Sequence, residues 1–333
     1  MKVVILLGGY GTRMRPHTWS RPKPLLNVAG NTVLGHILDE MRDITTEEVI
    51  FVVGYKGDQI KGWVRRHYPH LNSHFVVQEQ ALGQAHAVWL CRDFLDKGEV
   101  VIAFGDGIIQ ADFAHFASDG DATFLVQEIE DPRSFGVVAL DQDGFVSRFV
   151  EKPPTTEHKL AVVGINWFRD AAQLRQAIDI VLAEGRKTKG EYFMADAYQV
   201  LLEQGAKFRT APVAYWLDAG SPDNILNTNR ELLLRHAATA DAPARAAAAH
   251  FIVIPPVYLH SEAQITGSVI GPYATIGAGV RITDSIVRNC IIDTGASITA
   301  SLLDQSLIGE NVRVQGQTQR MFVADNSTVI SGG

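Results

Sequence analysis

The chain has 333 residues, 46% of them hydrophobic, and a formal net charge of −7. At about 150 residues per domain this length suggests two domains, well above the size at which disulfides or metals must replace a core. The acidic balance excludes a uniformly basic nucleic-acid binder, and two cysteines, Cys91 and Cys290, cannot build a disulfide framework or a multi-cysteine zinc site. A reducing, cytoplasmic setting fits this cysteine usage. No apolar run approaches the ~20 residues that span a bilayer, so no membrane contact is expected. The N-terminal MKVVILLGGYGTR passes from a short apolar stretch straight into glycines and an arginine. It reads as a first β-strand rather than a signal peptide.

Up to about residue 236, short apolar runs alternate with amphipathic stretches. Strands are expected at Val3–Leu7, Val49–Val53, Phe75–Gln78, Val100–Phe104 and Thr123–Glu128. Helices are expected at Val33–Asp43, Gly57–His67, Gly83–Leu95 and Phe113–Ser118. Continuous Val/Ile runs suit strands buried on both faces, and the alternation predicts a Rossmann-like α/β domain with a mostly parallel sheet. Gly136–Leu140, Phe145–Val150 and Val162–Phe168 read as antiparallel additions to it; Ala172–Glu184 and Met194–Gln204 read as helices. Residues 237–250, rich in alanine, break the composition and read as a linker. Beyond them Ile-Thr-x-Ser recurs at Ile265–Ser268, Ile282–Ser285 and Ile298–Ser301. Ile270, Ile276 and Ile282 stand six residues apart, as do Ile292 and Ile298, and Ile308 and Val314. Such a period predicts a parallel β-helix of hexapeptides over 251–333, its inward Ile and Val residues stacked coil upon coil. The expected domains are therefore 1–236 and 251–333.

The first strand runs into Gly8, Gly9 and Gly11, which let the backbone approach a phosphate closely and aim N–H groups at it. A Walker A loop is excluded, because no Lys-Ser/Thr follows, and a dinucleotide fingerprint fails at Met14. Pro16 and Pro22 keep the continuation extended, which presents Arg13 and Lys23 as preset cations. Arg15 and Arg21 read as exposed, solvated charges. Asp106 follows an apolar strand and lies between Gly105 and Gly107; in open α/β sheets ligands bind at strand carboxyl ends. Asp218 sits in WLDAGSP. A pair of separated carboxylates suits Mg²⁺, which keeps waters and substrate phosphates as its other ligands. Gln78 can donate and accept at once, as reading a base edge requires.

GGYGTRMRPHT, continued by RPKPLL, resembles the signature of the sugar-1-phosphate nucleotidyltransferases, or sugar-nucleotide pyrophosphorylases. The segments Gln78–Gly83, Phe104–Asp106, Glu151–Pro153 with Ala161–Gly164, and Trp216–Gly220 resemble further parts of that family's site. The hexapeptide tail resembles the left-handed β-helix of its long members. Over the whole chain, KGEYFMADAYQVLLEQG and WLDAGSPDNILNTNRELL are most similar to the long glucose-1-phosphate thymidylyltransferases. The resemblance implies a nucleotidyltransferase that uses Mg²⁺, held by Asp106 and Asp218, to join a nucleoside triphosphate to a sugar 1-phosphate with release of pyrophosphate. It implies nucleotide contacts from Gly8, Gly9, Gly11, Thr12, Arg13, Lys23, Gln78, Gly83 and Asp106. It implies sugar-phosphate contacts from Gly136, Glu151, Lys152 and Val162, with Lys189 and Glu191 as looser additions. Arg13, Lys23, Asp106 and Asp218 are the expected catalytic set. The expected substrates are dTTP and glucose 1-phosphate, with UTP or GTP users as alternatives. A non-catalytic regulatory homologue and an added acyltransferase activity of the β-helix are the readings from other classes. The expected assembly is a homo-oligomer.

Overall fold

The computed structural model describes residues 1–113, 119–133, 135–187, 190–238, 242, 246, 250–316 and 318–330. All of the expected helix Phe113–Ser118 after Phe113 and most of the expected linker 237–250 fall outside them, as does Lys189. By contacts the chain divides into two units: Met1–Tyr10 with Ile37–Trp216, and Gly11–His36 with Leu217–Gly333. Among the described residues no helix is long and apolar enough to cross a membrane.

The first unit is built on one mixed sheet. Its parallel half consists of β1 (Lys2–Leu7), β2 (Glu48–Val53), β3 (Ser73–Val77) and β4 (Val100–Phe104), in the spatial order β4-β1-β2-β3. These are the Val/Ile runs of the sequence, and most of their side chains are buried, as parallel strands covered on both faces require. β5 (Gly107–Gln110) follows β4 directly. The antiparallel half contains β6 (Ala122–Glu128), β7 (Gly136–Leu140), β8 (Val146–Glu151) and β9 (Leu160–Phe168), with β9 joining it to β4. β10 (Phe208–Pro212) lies parallel to β6. The helices α1 (Val33–Glu40), α2 (Gly57–His67), α3 (Gln84–Trp89), α4 (Ala171–Ala183) and α5 (Met194–Glu203) complete the order up to the strand β11 (Tyr215–Asp218). One core cluster unites Val4, Ile50, Ile102, Phe124, Phe168, Leu174, Ile178, Tyr198 and Phe208.

Two helices are shorter than the periodicity predicts. The first stops at Glu40, and the expected Gly83–Leu95 is α3 followed by a 3₁₀ turn over Arg92–Phe94. Hydrophobic spacing does not separate one continuous helix from a helix plus a tight turn, because both bury Val88 and Leu95. The helix α6 (Pro222–Leu232) carries a clear start signal that the apolar pattern conceals. Ser221 caps it by accepting a hydrogen bond from Asn224 N at 3.2 Å, and Pro222 occupies its first position.

The second unit contains the parallel β-helix, of the left-handed hexapeptide type. Its three faces are sheets of five short strands each among the described residues. One inward column runs Ile265, Ile282, Ile298, Val314, Val329; another runs Leu259, Ile276, Ile292, Ile308, Val323. The Ile-Thr-x-Ser repeat has a second meaning beyond the core. The serines are buried: Ser285 N donates to Ser268 Oγ at 3.0 Å and Ser301 N to Ser285 Oγ at 3.1 Å. Each serine Oγ also donates to the threonine carbonyl two residues earlier, at 2.7–2.8 Å. A hydroxyl ladder thereby satisfies backbone groups that the coil corners would leave unpaired. The corners turn through left-handed backbone at Gly267, Asp284, Ala300 and Gly316, and at Gly279, Gly295, Asn311 and Asn326. Ile298→Ala, at a fully buried rung, should lower the unfolding free energy by about 2–5 kcal/mol. Urea unfolding followed by circular dichroism reads this, and a change below about 1 kcal/mol would mean that the column is not a packed core.

Candidate active site

In the first unit, the carboxyl ends of β1, β2, β3 and β4 reach one sheet edge, because the strands are parallel and nearly in register. That edge carries Gly8, Gly54, Gln78 and Asp106. A Cβ on Gly54 would lie 2.7 Å from Gly8 O, and one on Gly8 would lie 2.9 Å from Gln78 Oε1. Close backbone approach is therefore built in, while Gly9 has open space above it. Gln78 Nε2 donates to Gly83 O at 3.1 Å and to His86 Nδ1 at 3.2 Å. The imidazole can accept that bond only when neutral at Nδ1, in keeping with burial pulling its pKa below the usual histidine value. Gly83 has φ +109 and opens α3 against the backbone of Tyr192, where Tyr192 N donates to Leu82 O at 2.9 Å and Ala85 N to Tyr192 O at 3.0 Å. Sequence reading missed both His86 and Tyr192 as parts of this corner. Asp106 is exposed, and its carboxylate has no partner among the described residues.

The residues expected at the sugar also come together. Gly136 pairs with Glu151 across the β7–β8 ladder, and a Cβ on Gly136 would lie 2.9 Å from Glu151 Oε2. Lys152 adopts φ +48, pairs with Glu151 at 3.2 Å and lies over the Phe193 ring at 5.1 Å. β9 pairs Ala161 with Val137, which brings Val162 to the Gly136 end of that ladder. Asp196, in the first turn of α5, was not expected here. Its Oδ2 is buried without a hydrogen-bond partner. Burial, with the Glu151 charge adding to it, holds its carboxyl above the ordinary range, against the opposing Arg186 charge and the Phe193 backbone bond. An acidic residue opening a helix reads as a dipole cap in sequence, which hides such a role. Glu191 is exposed.

In the second unit, Gly11 (φ +60) leads into the 3₁₀ turn Thr12–Met14, so the segment expected to be extended is a run of tight turns instead. Thr12 and Arg13 are exposed, and Lys23 begins a second 3₁₀ turn behind Pro22. Thr18 Oγ1 donates to Gly11 O at 2.9 Å, and a Cβ on Gly11 would lie 3.2 Å from Lys23 Cβ. Asp218 Oδ1 accepts from Gly220 N at 2.8 Å and Oδ2 accepts from Asn224 Nδ2. A Cβ on Gly220 would lie 3.4 Å from Arg13 Nη2, so a guanidinium stands beside this carboxylate turn. Each Asp218 oxygen keeps a lone pair beyond those bonds, as cation coordination requires. Among the described residues no group of three His, Cys, Asp or Glu could hold a metal, so any cation depends on substrate oxygens for further ligands. Arg21 departs from expectation. Its side chain is only 14% exposed and pairs with Asp293 at 2.9 Å and with Glu310, whereas Arg15 is exposed as predicted.

A glycine-rich sheet edge, an exposed carboxylate beyond a strand end and a Glu151–Lys152 pair are the arrangement that the first unit presents. The Nucleotidyl transferase family matches residues 2–234, and the chain belongs to it. Among its relatives, the glucose-1-phosphate thymidylyltransferase of Streptomyces griseus is 30% identical, over 98% of each chain. The protein named "Probable mannose-1-phosphate guanylyltransferase 3" of Oryza sativa subsp. japonica is 27% identical, over 99% of this chain and 91% of its own. A solved structure from Bacillus anthracis, described as "a Putative Glucose-1-Phosphate Thymidylyltransferase" in complex with a sucrose, superposes with a TM-score of 0.58. It is 25% identical and covers 69% of this chain and 94% of its own. The protein is a sugar-phosphate nucleotidyltransferase.

Proposed function

We propose that this enzyme joins dTTP to glucose 1-phosphate, giving dTDP-glucose and pyrophosphate. The supporting observation is the likeness to a thymidylyltransferase that extends over 98% of the chain, β-helix included. The guanylyltransferase relative, matched over 99% of the chain, favours GTP with mannose 1-phosphate as the second reading. Pyrophosphate release from a panel of nucleoside triphosphates and sugar 1-phosphates tests this. A kcat/KM for dTTP at least tenfold above every other nucleotide is expected; a preference for GTP or UTP overturns the base assignment.

In this reading the N–H groups of Gly8, Gly9, Gly11 and Thr12 bind the phosphates, and Arg13 and Lys23 neutralise them. Arg13 can engage two oxygens at once through its planar fork. Gln78, held by Gly83 and His86, presents Oε1 as an acceptor toward the base, and Gly83 contributes its backbone. Glu151 accepts sugar hydroxyls, Lys152 meets the sugar phosphate, and Gly136 and Val162 close the pocket with backbone groups. Asp106 and Asp218 hold Mg²⁺, which when bound supplies positive charge against the triphosphate and the departing pyrophosphate. The sugar phosphate needs no protein base, since its second pKa near ~6 leaves it ionised at neutral pH. The residues therefore act by alignment and charge, with the phosphate oxygen in line with the α-phosphorus. Homo-oligomerisation is part of the proposal. It is supported by the outward column Ile252, Val269, Ile286 and Leu302 on one β-helix face, whose Ile252 and Ile286 are exposed.

A further inference from the structure

The segment that carries both triphosphate cations is fastened to the β-helix. Internally it holds together by tight turns: Met14 N to Gly11 O at 3.0 Å, His17 N to Met14 O at 3.0 Å, and Leu26 N to Lys23 O at 3.0 Å. Several of its outer attachments run to one corner of the coil. Arg21 Nη1 donates to Asp293 Oδ2 at 2.9 Å, and Arg21 Nη2 pairs with Glu310. Asn27 Nδ2 donates to Asp293 Oδ1, and Ser20 Oγ donates to Asp325 Oδ2. Asp293, Glu310 and Asp325 follow the stacked strands Ile291–Ile292, Leu307–Ile308 and Phe322–Val323 within one or two residues, so successive coils present their carboxylates at one corner. Glu310 N donates to Asp325 Oδ1 at 2.6 Å, which ties two of these coils together. His17, 3% exposed, lines the same small pocket as Arg21, Asn27, Asp293 and Asp325.

We infer that Arg21 is a positioning residue, and that Asp293 and Glu310 of the β-helix set the placement of Lys23 and Arg13 through it. The inference rests on the reading that Arg13 and Lys23 bind the triphosphate. The mechanical link is short and stiff. Arg21 is joined to Lys23 through Pro22, whose ring fixes φ near −70°, and Pro24 restricts Lys23 from the other side. A guanidinium fork shared by two carboxylates fixes the direction of the Arg21 side chain as well as its charge. Arg21 also donates to Leu25 O at 3.3 Å, so it ties the corner to the turn that contains Lys23. With its charge matched by carboxylates, Arg21 serves to hold the segment rather than to meet the phosphates. In this arrangement the β-helix takes part in nucleotide binding.

The test uses Glu310→Gln and Asp293→Asn in the full-length enzyme, with Arg21→Lys as the conservative variant. Glu310 is part-exposed, so its variant tests the clamp even if Asp293→Asn, which also affects the Thr294 N–H bond at 2.7 Å, fails to fold. Each acidic variant should raise the KM for the nucleoside triphosphate about 5- to 50-fold while the KM for the sugar 1-phosphate stays within about twofold. Amide exchange over residues 14–26 should accelerate at least about tenfold while the β-helix core stays protected. Arg21→Lys should show an intermediate KM, because an ammonium supplies charge without the fork. Unchanged exchange over 14–26, or an equal rise in both KM values, overturns the inference. Faster exchange with an unchanged triphosphate KM also overturns it. If instead Arg13→Ala leaves the triphosphate KM unchanged, the reading of the cations fails, and the exchange measurement on the clamp variants still stands by itself.

Discussion

Asp106→Asn and Asp218→Asn are each expected to lower kcat about a thousandfold, the rate equivalent of ~4 kcal/mol of lost transition-state stabilisation. Pyrophosphate release at saturating substrates and Mg²⁺ measures it. The two variants differ in what they do to the fold. Asp106 is exposed and its carboxylate has no partner among the described residues, so the amide removes a charge and nothing else. Its Tm should match the parent. Asp218 accepts from Gly220 N and from Asn224 Nδ2, so an amide there sets one N–H group against another donor. That should cost about 1 kcal/mol and about 2–4 °C in Tm. A near-parental kcat in either variant removes that carboxylate from the metal site. A loss of kcat in Asp218→Asn accompanied by gross unfolding would make the loss structural.

Gly83→Ala is the second large effect. A Cβ at residue 83 would stand 2.4 Å from Tyr192 O and 2.6 Å from Tyr192 N, both backbone atoms that cannot rotate aside. The position also has φ +109, which an alanine adopts only under strain. Relief requires parting the Leu82–Ala85 stretch from Tyr192, with loss of backbone bonds at 2.9 and 3.0 Å. The cost should be about 2–5 kcal/mol in stability. Because Gln78 Nε2 is held by Gly83 O, the base-facing amide shifts too, and kcat/KM for the nucleotide should fall about a hundredfold. Urea unfolding and steady-state kinetics with varied nucleotide check both parts. Parental stability in Gly83→Ala would show that the Tyr192 segment is free to move away.

Much of the architecture was legible in the sequence because its signals are local. The parallel strands announced themselves as Val/Ile runs, and the six-residue spacing of Ile276, Ile282, Ile292 and Ile298 matches inward columns of the coil. The repeat starts, 17 and then 16 residues apart, also give the coil lengths. Ile282 pairs with Ile298, a coil of sixteen rather than eighteen residues, because some corners use one residue fewer than the hexapeptide rule supplies. The Ile-Thr-x-Ser repeat marked the coils, yet the serine ladder that explains it depends on contacts between coils.

The candidate site divides the same way. Gly8, Gly83 and Asp106 stood out because glycine permissiveness and strand ends are properties of a few adjacent residues. Asp196 and His86 did not, since a helical acidic residue and a helical histidine look ordinary until the side chains they face are known. Arg21 is the clearest case. From its neighbours it reads as one more exposed cation, and its partner Asp293 is 272 residues away. The strand runs, the glycine turns and the coil period were fixed by local sequence, because steric limits and side-chain periodicity act over a few residues. That Arg21 is matched by Asp293 and Glu310 emerged in three dimensions alone, because charge pairing is set by distance in space.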